Sequence, residues 1–492
     1  MNQRLPFVVA VMLSATVYLS TAHAADWPGF RGPTGSGVSA EKDLPLPDKD
    51  GTLWKIKLPG PGASGPIAAG DKLFVTCYTG YGAKVSGGFG KGGFGKGGKG
   101  DFGKGGFGKG FGKPDPAELK EQEKLRFILL CVDAKKGDIV WQKEVEPKLP
   151  EVVFGGMIRE HGYATSTPVT DGERVYAFFG KTGVVAFDME GKQLWHTSVG
   201  TGTNFFGMAS SPVLYKDLVI VNASIEGGEL VALEAKTGKK AWRAKVTGLS
   251  WGSPVLVETD KGKTELVVSM PDKIIGFDPQ TGDELWHCKG IKTGGGGFGG
   301  FGGGKGEAGG GGFGGGGFGK GGGGFGGGGY GGTYSTPAAH KGVVYVAGGG
   351  GFAGSPTALA VRAGGRGDVE ESHVVWREKA GTTYSSPIVL GEHVYFVDGS
   401  VTCLRADNGK QVYKERLYES RGEYVSPVAV GDKLVVLTRF DGMFIVAAGK
   451  KFEQLAAHEF AEDKSIFNAG PAIAGGRIYA RSNEYLYCIG KK

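Results

Sequence analysis

Four aromatic residues stand at one equivalent position in successive copies of a repeated pattern. Each lies three residues before a proline, and the set is Trp251, Tyr334, Tyr384 and Tyr424. Aromatic faces stack on flat conjugated ligands, and charged side chains hold the carboxylates of such ligands. Polar residues that the pattern brings near the four rings are Glu160, His161, Tyr163, Arg421, Glu423 and Asp441. This mixture suits a flat aromatic ligand with carboxylates, and the alternative is a plug of aromatic rings without a ligand.

The elements that position these residues repeat along the chain. A Ser/Thr/Gly-rich step precedes each anchor proline, at Pro66, Pro168, Pro212, Pro254, Pro337, Pro387, Pro427 and Pro471. Five spacings run from 40 to 50 residues, and the other two, 102 and 83, each span a glycine tract or long insert. Every copy alternates β-branched or aromatic residues with turn residues, which is typical of antiparallel strands. Four strands in about 42 residues are typical of a propeller blade.

The two ends of the chain carry complementary fragments of this pattern. The last copy ends at EYLYCIGKK without a fourth strand, whereas TLWKIKL, residues 52–58, is a lone strand around Trp54. Pairing the two fragments would remove an exposed sheet edge. The sequence therefore predicts an all-β fold, an eight-bladed β-propeller of four-stranded antiparallel blades. The N-terminal strand around Trp54 completes the last blade and closes the ring.

A tryptophan follows the turn glycine of four copies by four residues, at Trp141, Trp195, Trp242 and Trp286. This pattern resembles the tryptophan-docking repeat of the PQQ-like propeller family, which includes quinoprotein alcohol dehydrogenases and BamB-like assembly lipoproteins. The segment DWPGFRGPTGSGVS, residues 26–39, resembles the start of secreted planctomycete-type members. The resemblance implies that the tryptophans dock between adjacent blades.

The first 24 residues are typical of a signal peptide. Arg4 precedes the apolar run PFVVAVMLSATVYL, and Ala22-His23-Ala24 supplies a cleavage site. We expect cleavage after Ala24, with an uncleaved anchor helix as the alternative, and a single propeller domain over residues 25–492. The chain would then be exported, periplasmic or secreted, and would not span the membrane. A lipid anchor is not expected, because the first cysteine is Cys77.

Two glycine tracts, at about 87–113 and 293–332, interrupt the repeat and are predicted to be disordered inserts. The first tract holds six lysines and one acidic residue, so removing it from the net charge of +7 leaves about +2. A nearly neutral body argues against a specific nucleic-acid partner. Both tracts and the long segment 145–164 are expected on one face, which we call the top face. Protein or glycan partners are expected there, because binding residues concentrate on loops.

Innermost strands begin at the same face, so the aromatic residues are expected at one mouth of the central channel. The candidate ligand site there comprises Trp251, Tyr334, Tyr384, Tyr424, Tyr163, Glu423 and Arg421. The other four copies carry Ala63, Thr165, Ala209 and Asn468 at the aromatic position. We predict no catalytic residue and no metal ligand from the sequence. The five cysteines are dispersed, and Cys131, Cys403 and Cys488 share a repeat position that indicates small buried residues.

Three functions remain open at this point. The residues favour a non-catalytic binding or assembly scaffold. The resemblance implies an alternative, a dehydrogenase that holds PQQ and Ca²⁺ and oxidises an alcohol or sugar. The vicinal disulfide of the alcohol dehydrogenases is impossible here, because no two cysteines are adjacent. The third is a cell-envelope structural protein that uses the Gly/Phe/Lys-rich tracts.

Overall fold

Eight β-sheets follow the copies of the repeat in chain order and form the blades of a propeller. The computed structural model describes residues 26–47, 51–83, 116–155, 158–204, 206–291, 332–349, 356–419 and 424–491. The predicted signal peptide, the first glycine tract and residues 293–331 of the second tract lie outside the described residues. Strands run from the hub outwards as strands 1 to 4 of each blade. The predicted eight-bladed, all-β fold is confirmed.

The first described strand, β1 (Thr52–Lys57), belongs to the last blade. Blade 1 contains β2 (Ile67–Ala69), β3 (Lys72–Thr79), β4 (Arg126–Asp133) and β5 (Ile139–Val145). Blade 2 contains β6 (Val169–Thr170), β7 (Arg174–Phe178), β8 (Val184–Asp188) and β9 (Gln193–Thr197). Blade 3 contains β10 (Val213–Tyr215), β11 (Leu218–Ala223), β12 (Glu229–Glu234) and β13 (Lys240–Lys245).

After β14 (Leu249–Ser250), blade 4 contains β15 (Val255–Glu258), β16 (Thr264–Met270), β17 (Lys273–Phe277) and β18 (Glu284–Lys289). The strand β19 (Gly332–Thr333) pairs in parallel with β14 between blades 4 and 5. Blade 5 contains β20 (Ala338–His340), β21 (Val343–Gly349), β22 (Pro356–Arg362) and β24 (Val374–Glu378). Between its last two strands, β23 (Gly367–Asp368) pairs with β18, so blade 4 gains a fifth strand.

Blade 6 contains β25 (Ile388–Leu390), β26 (His393–Asp398), β27 (Ser400–Arg405) and β28 (Gln411–Arg416). Blade 7 contains β29 (Val428–Val430), β30 (Lys433–Leu437), β31 (Met443–Ala447) and β32 (Gln454–His458). Blade 8 contains β33 (Ala472–Ala474), β34 (Arg477–Arg481), β35 (Tyr485–Ile489) and β1. The antiparallel pair of β1 with β35 sets Trp54 opposite Cys488 and closes the ring, as the sequence predicts.

Helices are short: α1 (Pro116–Gln122), α2 (Ile158–His161), α3 (Glu370–His373) and a 3₁₀ turn, Gly180–Thr182. Among the described residues, no helix has the length and apolar character needed to cross a membrane.

Strand burial follows the packing of blade against blade. All six residues of β11 are buried, because strand 2 lies between the neighbouring blades on both faces. The outermost strand β13 instead alternates, with Trp242 and Ala244 buried and the charged residues exposed. Burying both faces of the inner strands removes a large apolar area from water and supplies the main favourable term of folding.

Tryptophans on the outermost strands dock on the next blade. The indole N–H donates to a backbone carbonyl at the next strand 3–4 turn in five pairs: Trp54–Ala134 (3.2 Å), Trp141–Met189 (3.0 Å), Trp195–Ala235 (3.0 Å), Trp242–Pro279 (3.2 Å) and Trp376–Ala406 (2.9 Å). A Cβ on the turn glycine Gly238 would lie 2.5 Å from the Trp195 ring. The predicted inter-blade docking is therefore confirmed, and it explains the spacing of glycine and tryptophan.

Trp286 departs from this pattern. Its indole N–H donates to the Glu265 carboxylate of its own blade, at 2.7 Å. Glu265 is buried and also accepts hydrogen bonds from the Gly364 N–H (2.9 Å) and the Arg366 guanidinium (3.1 Å) of blade 5. The irregular connection between β22 and β24 thus contacts blade 4 through the Glu265 carboxylate. This carboxylate takes the place of the turn carbonyl that accepts the indole N–H at the five other junctions with a docked tryptophan.

Small residues face the docked aromatic rings from strand 3. Cys131 lies opposite Trp141, and Cys403 lies opposite Tyr413. At the equivalent position in blade 4, a Cβ on Gly276 would lie 2.2 Å from the Trp286 ring. All five cysteines are buried and free, which confirms the prediction for Cys131, Cys403 and Cys488.

The residue before the anchor proline links neighbouring blades around the hub at six of the eight junctions. Its backbone N–H donates to the hydroxyl of the equivalent residue in the next blade, in six bonds of 2.8–3.0 Å: Gly65 to Thr167, Thr167 to Ser211, Ser211 to Ser253, Ser253 to Thr336, Thr336 to Ser386, and Ser386 to Ser426. The repeated Ser/Thr-Pro step is therefore a structural feature, because its hydroxyls satisfy buried backbone donors.

Residues 26–44, which we call the strap, cross the bottom face, opposite the aromatic residues. The strap contacts six blades, through Trp27 with Ala68, Pro28 with Thr170, Ser36 with Ala339, Arg31 with Pro387, Ser39 with Ala429, and Glu41 with Gly476. These contacts hold strand 1 ends from distant parts of the chain together. The ring is thereby closed a second time.

Candidate functional site

The four predicted aromatic residues form a continuous row at the top of the hub. Trp251 stacks on Tyr334, with ring centroids 5.2 Å apart and an interplanar angle of 25°. Tyr334 meets Tyr384 edge-on at 5.3 Å, and Tyr384 meets Tyr424 edge-on at 4.9 Å. These separations are typical of favourable aromatic pairs. The structure therefore brings together the core of the predicted site.

Two residues extend this aromatic row. The Phe206 ring meets the Trp251 ring edge-on at 5.6 Å, and the Trp251 indole N–H donates to the Gly207 carbonyl at 2.8 Å. At the other end, the Arg439 guanidinium lies 4.5 Å from the centre of the Tyr424 ring and donates to the Asn468 amide oxygen at 2.9 Å. A cation over an aromatic face is attracted to the negative face of the ring.

The described residues show neither a slot between Trp251 and Tyr334 for a flat cofactor such as PQQ nor an acidic cluster for its calcium. A flat ligand between two rings needs about 7 Å between them, twice an ordinary carbon contact, and Trp251 and Tyr334 are already in contact. Calcium takes six to eight oxygen ligands. Within the described ranges no group of three or more His, Cys, Asp or Glu side chains could hold a metal ion. We therefore derive no chemical step through this cofactor.

The remaining predicted site residues lie in different places. Tyr163 is separate from the aromatic row, because its ring packs on Tyr78 at 5.4 Å and its hydroxyl donates to the Val152 carbonyl at 2.5 Å. His161 contacts the row indirectly, with its Nε2 2.8 Å from the Phe206 carbonyl oxygen. Asp441 is partly buried in the loop that follows Arg439. The residues outside the described part are Arg421, Glu423 and the side chain of Glu160.

A second candidate site lies beside the row, in a cavity among the top-face loops of blades 1, 2 and 3. The cavity has a volume of about 30 Å³ and opens to solvent on one side. Its walls come from the connection between blades 1 and 2, the turn after Phe178, the loop around Asn204, and the turn that holds Glu226. Three of its side chains carry charge: Glu151, Lys181 and Glu226. We call this space the acidic cavity.

Glu226 lies on the turn between β11 and β12 and is 5% exposed. Its backbone carbonyl accepts hydrogen bonds from the N–H groups of Thr201 and Gly202, both at 2.9 Å. The Glu226 Oε1 would lie 3.3 Å from a Cβ on Gly180, so this glycine leaves room for the carboxyl. Burial raises the pKa of Glu226 to about 8, because the charged form loses its hydration.

Glu151 is held through its backbone rather than its side chain. The buried Gln122 at the end of α1 donates to the Glu151 carbonyl at 2.9 Å and accepts from its N–H at 2.8 Å. The segment is further fixed where the Phe154 N–H donates to the Tyr81 hydroxyl at 2.7 Å. Burial raises the pKa of Glu151 to about 7, although Lys181 opposes the shift. The carboxyl is thus held in the cavity wall while its charge stays costly.

Lys181 supplies the positive charge of the acidic cavity. Its ammonium donates to the Pro150 carbonyl, and burial lowers the pKa of Lys181 despite the nearby Glu151. The apolar wall includes Phe127 and Phe179, whose rings stack at 4.7 Å and 14°. The cavity therefore combines two carboxyl groups and one ammonium with aromatic faces.

Sequence reasoning missed the acidic cavity and the ends of the aromatic row. The segment 145–164 is assigned to the top face from the sequence, but neither Glu151 nor Glu226 is singled out there. Lys181 lies in FFGKTG, residues 178–183, which fails as a phosphate-binding loop because position 175 is Val175. The aromatic pair within TGTNFFGM, residues 201–208, could have indicated that Phe206 extends the aromatic row.

The docked tryptophans, the closed ring and the hub hydroxyls define a PQQ-like β-propeller. A family model described as outer membrane protein assembly factor BamB matches residues 126–253 and 272–491, more than half of the chain. The chain therefore belongs to this family. No curated protein sequence matches the chain.

Solved structures share the propeller fold at low sequence identity. Quinohemoprotein alcohol dehydrogenase from Comamonas testosteroni is 12% identical, with a TM-score of 0.54 over 96% of this chain and 81% of that chain. BamB from Moraxella catarrhalis is 14% identical, with a TM-score of 0.48 over 73% of this chain and 88% of that chain. At these identities the likeness concerns the fold alone, and function depends on the residues of the site.

Proposed function

We propose that the protein is an exported, non-catalytic PQQ-like propeller that acts as a binding or assembly scaffold. The aromatic row carries this proposal, because its rings pack on one another instead of bordering a slot for a flat cofactor. Tyr334, Tyr384 and Tyr424 nevertheless remain half-buried, so part of each ring is available at the top face. Half-exposed aromatic residues are enriched where proteins bind partners.

Rigidity also supports a scaffold. The pairing of β1 with β35, the strap and the six hub hydrogen bonds join the two ends of the chain and most neighbouring blades. Partners that bind the loops of the top face would therefore meet a surface whose geometry is fixed in advance, which lowers the entropic cost of binding.

Export to the periplasm or beyond is part of the proposal. It rests on the sequence pattern of residues 1–24 and agrees with the outer-membrane role in the family description. Protein or glycan partners at the top face are proposed on the same footing. Aromatic faces suit both, since they stack on sugar rings and on apolar side chains.

Site-specific photo-crosslinking in the cell envelope tests this proposal. A benzoylphenylalanine replaces Tyr384 on the top face, and a matched control replaces the exposed Lys240 on the outer strand β13. We expect one discrete adduct from position 384 and none from position 240. No adduct from position 384, or equal labelling at both positions, would contradict a top-face partner site.

A further inference from the structure

The acidic cavity goes beyond the proposed scaffold function, and its carboxyl groups outnumber its ammonium groups. Two carboxyl groups, Glu151 and Glu226, share the cavity with a single ammonium, that of Lys181. The Lys181 ammonium donates to the Pro150 carbonyl, and neither carboxyl forms an ion pair within 4.0 Å of a cation in the described part of the chain. When both carboxyl groups are ionised, one further positive charge balances the cavity.

Glu226 is the strongest single indication of a ligand. Its side chain lines the cavity and is more than nine-tenths buried. Apart from its own backbone N–H, no described group donates a hydrogen bond to the carboxyl. Buried carboxyl groups in folded proteins normally have a protein or water partner, so one that faces the cavity without a protein donor can accept a hydrogen bond from a ligand.

The surrounding walls favour an organic cation over a metal ion. Stacked Phe127 and Phe179 stand in the wall with Tyr163 and Met208. Aromatic faces attract cations, and the apolar area binds a short hydrocarbon body. A divalent metal would instead require several more oxygen ligands than two carboxyl groups supply.

We propose that the acidic cavity binds a primary ammonium group carried on a short apolar body, with Glu226 as its main partner and Glu151 as the second carboxylate. A free amine, a lysine side chain and a polypeptide N-terminus share this chemistry. The aromatic pair contacts the apolar body. Because the Lys181 ammonium already offsets one of the two carboxylates, the cavity accommodates a ligand with a single positive charge.

Calorimetric titration of the chain from residue 25 onwards with n-butylammonium tests the proposal. We expect one saturable site with Kd on the order of 1 mM, the range for so small a ligand. The neutral n-butanol should bind at least about tenfold more weakly, because it lacks the charge that a buried carboxylate stabilises. Equal binding of n-butanol, or no saturable binding of n-butylammonium, would overturn the proposal.

Variants separate the site from general attraction of cations. Glu226→Gln should weaken n-butylammonium binding at least about tenfold, and Glu151→Gln should weaken it by a smaller factor, because a neutral amide cannot pair with the ammonium. Glu371→Gln, a change at an exposed residue of α3, should leave binding unchanged. Unchanged affinity in both cavity variants would refute the assignment. Glu151→Gln keeps the test available if Glu226→Gln does not fold, since Gln122 holds residue 151 by its backbone.

Proton release gives a second readout that a purely structural role would not change. Near pH 7 the Glu226 carboxyl is largely protonated, since its pKa is about 8, so binding of an ammonium should expel up to one proton. Glu151 and Lys181 face the same cavity, and the Glu226→Gln variant isolates the Glu226 contribution. Titration in buffers with different ionisation enthalpies measures this proton. A wild-type release equal to that of Glu226→Gln would contradict the role of Glu226. Failure of amine binding leaves the photo-crosslinking result, and thus the scaffold proposal, unaffected.

Lysine-containing and N-terminally free peptides distinguish the sources of the ammonium. A short peptide with a free N-terminus and one with an acetylated N-terminus and a single lysine should compete with n-butylammonium if they reach the cavity. The competing peptide then identifies the form of ammonium. Competition by neither peptide would restrict the ligand to free small amines, which the proposal includes.

Discussion

Ser210 and Ser211 are adjacent hub residues that are equally buried but differ in their hydrogen bonds. They are 4% and 2% exposed, respectively. The Ser211 hydroxyl accepts the backbone N–H of Thr167 at 3.0 Å, whereas the Ser210 hydroxyl has no hydrogen-bond partner among the residues that the structure describes. The pair therefore tests whether the Ser/Thr-Pro step stabilises the ring through its hydroxyl or merely through its small size.

Ser211→Ala removes the acceptor and leaves the buried N–H of Thr167 unsatisfied. The cost of such a group is about 1–3 kcal/mol, so we expect the free energy of unfolding to fall by that amount. Ser210→Ala removes a buried hydroxyl that has no partner, and it should change stability by less than about 0.5 kcal/mol or increase it. Both variants lose the same single oxygen atom, so side-chain volume cannot explain a difference.

Urea unfolding followed by tryptophan fluorescence measures both variants against the wild type. The urea concentrations at the unfolding midpoint are compared at equal slope, because the variants and the wild type expose the same surface on unfolding. A Ser211→Ala variant as stable as Ser210→Ala would refute the view that the hub hydroxyls hold the blades together. The same would follow if Ser210→Ala were the more destabilised of the two.

Three further predictions follow from the described contacts. Trp242→Ala should lower the free energy of unfolding by about 3–5 kcal/mol, because it leaves a cavity between blades; a loss below about 1 kcal/mol in urea unfolding would contradict docking. Burial raises the pKa of Cys131 to about 12, so its thiol should not react with iodoacetamide at pH 8 until the protein unfolds. Mass spectrometry measures the labelling, and rapid modification of the native protein would disprove this prediction. Glu226 has a pKa of about 8 in the folded protein, above its ordinary value of 4.5. Between these two pH values the free energy of unfolding of the wild type should therefore fall as pH rises, by about 1.4 kcal/mol per pH unit relative to Glu226→Gln. A flat difference over pH 5–8 would contradict the burial of this carboxyl beside Glu151 and Lys181.

Local patterns in the sequence were sufficient to predict the blades. Alternation of apolar residues with period two and regularly spaced turns identify strands without tertiary information. The incomplete last copy and the lone strand around Trp54 predicted the closure seen between β1 and β35. The turn glycine four residues before Trp141, Trp195, Trp242 and Trp286 was also visible in the sequence. In the structure each of these glycines has a positive φ, and a Cβ there would meet the tryptophan of the preceding blade.

Contacts between distant loops could not be predicted in the same way. Glu151, Lys181 and Glu226 belong to three connections, and only the curvature of the ring brings these loops to one cavity. The partner of Trp286 was likewise hidden, because Glu265 replaces a turn carbonyl only where the connection between β22 and β24 is irregular. The aromatic row was predicted by position, but the contact of one ring with the next depends on the spacing between blades.

Calorimetric titration of the chain from residue 25 onwards with PQQ, with and without Ca²⁺, tests the scaffold assignment most directly. The aromatic row packs on itself and the described residues contain no metal-ligand cluster. We therefore predict no saturable heat with PQQ up to high micromolar concentration under either condition. Tight, calcium-dependent binding at one site per chain, weakened by Trp251→Ala, would contradict the scaffold and indicate a dehydrogenase.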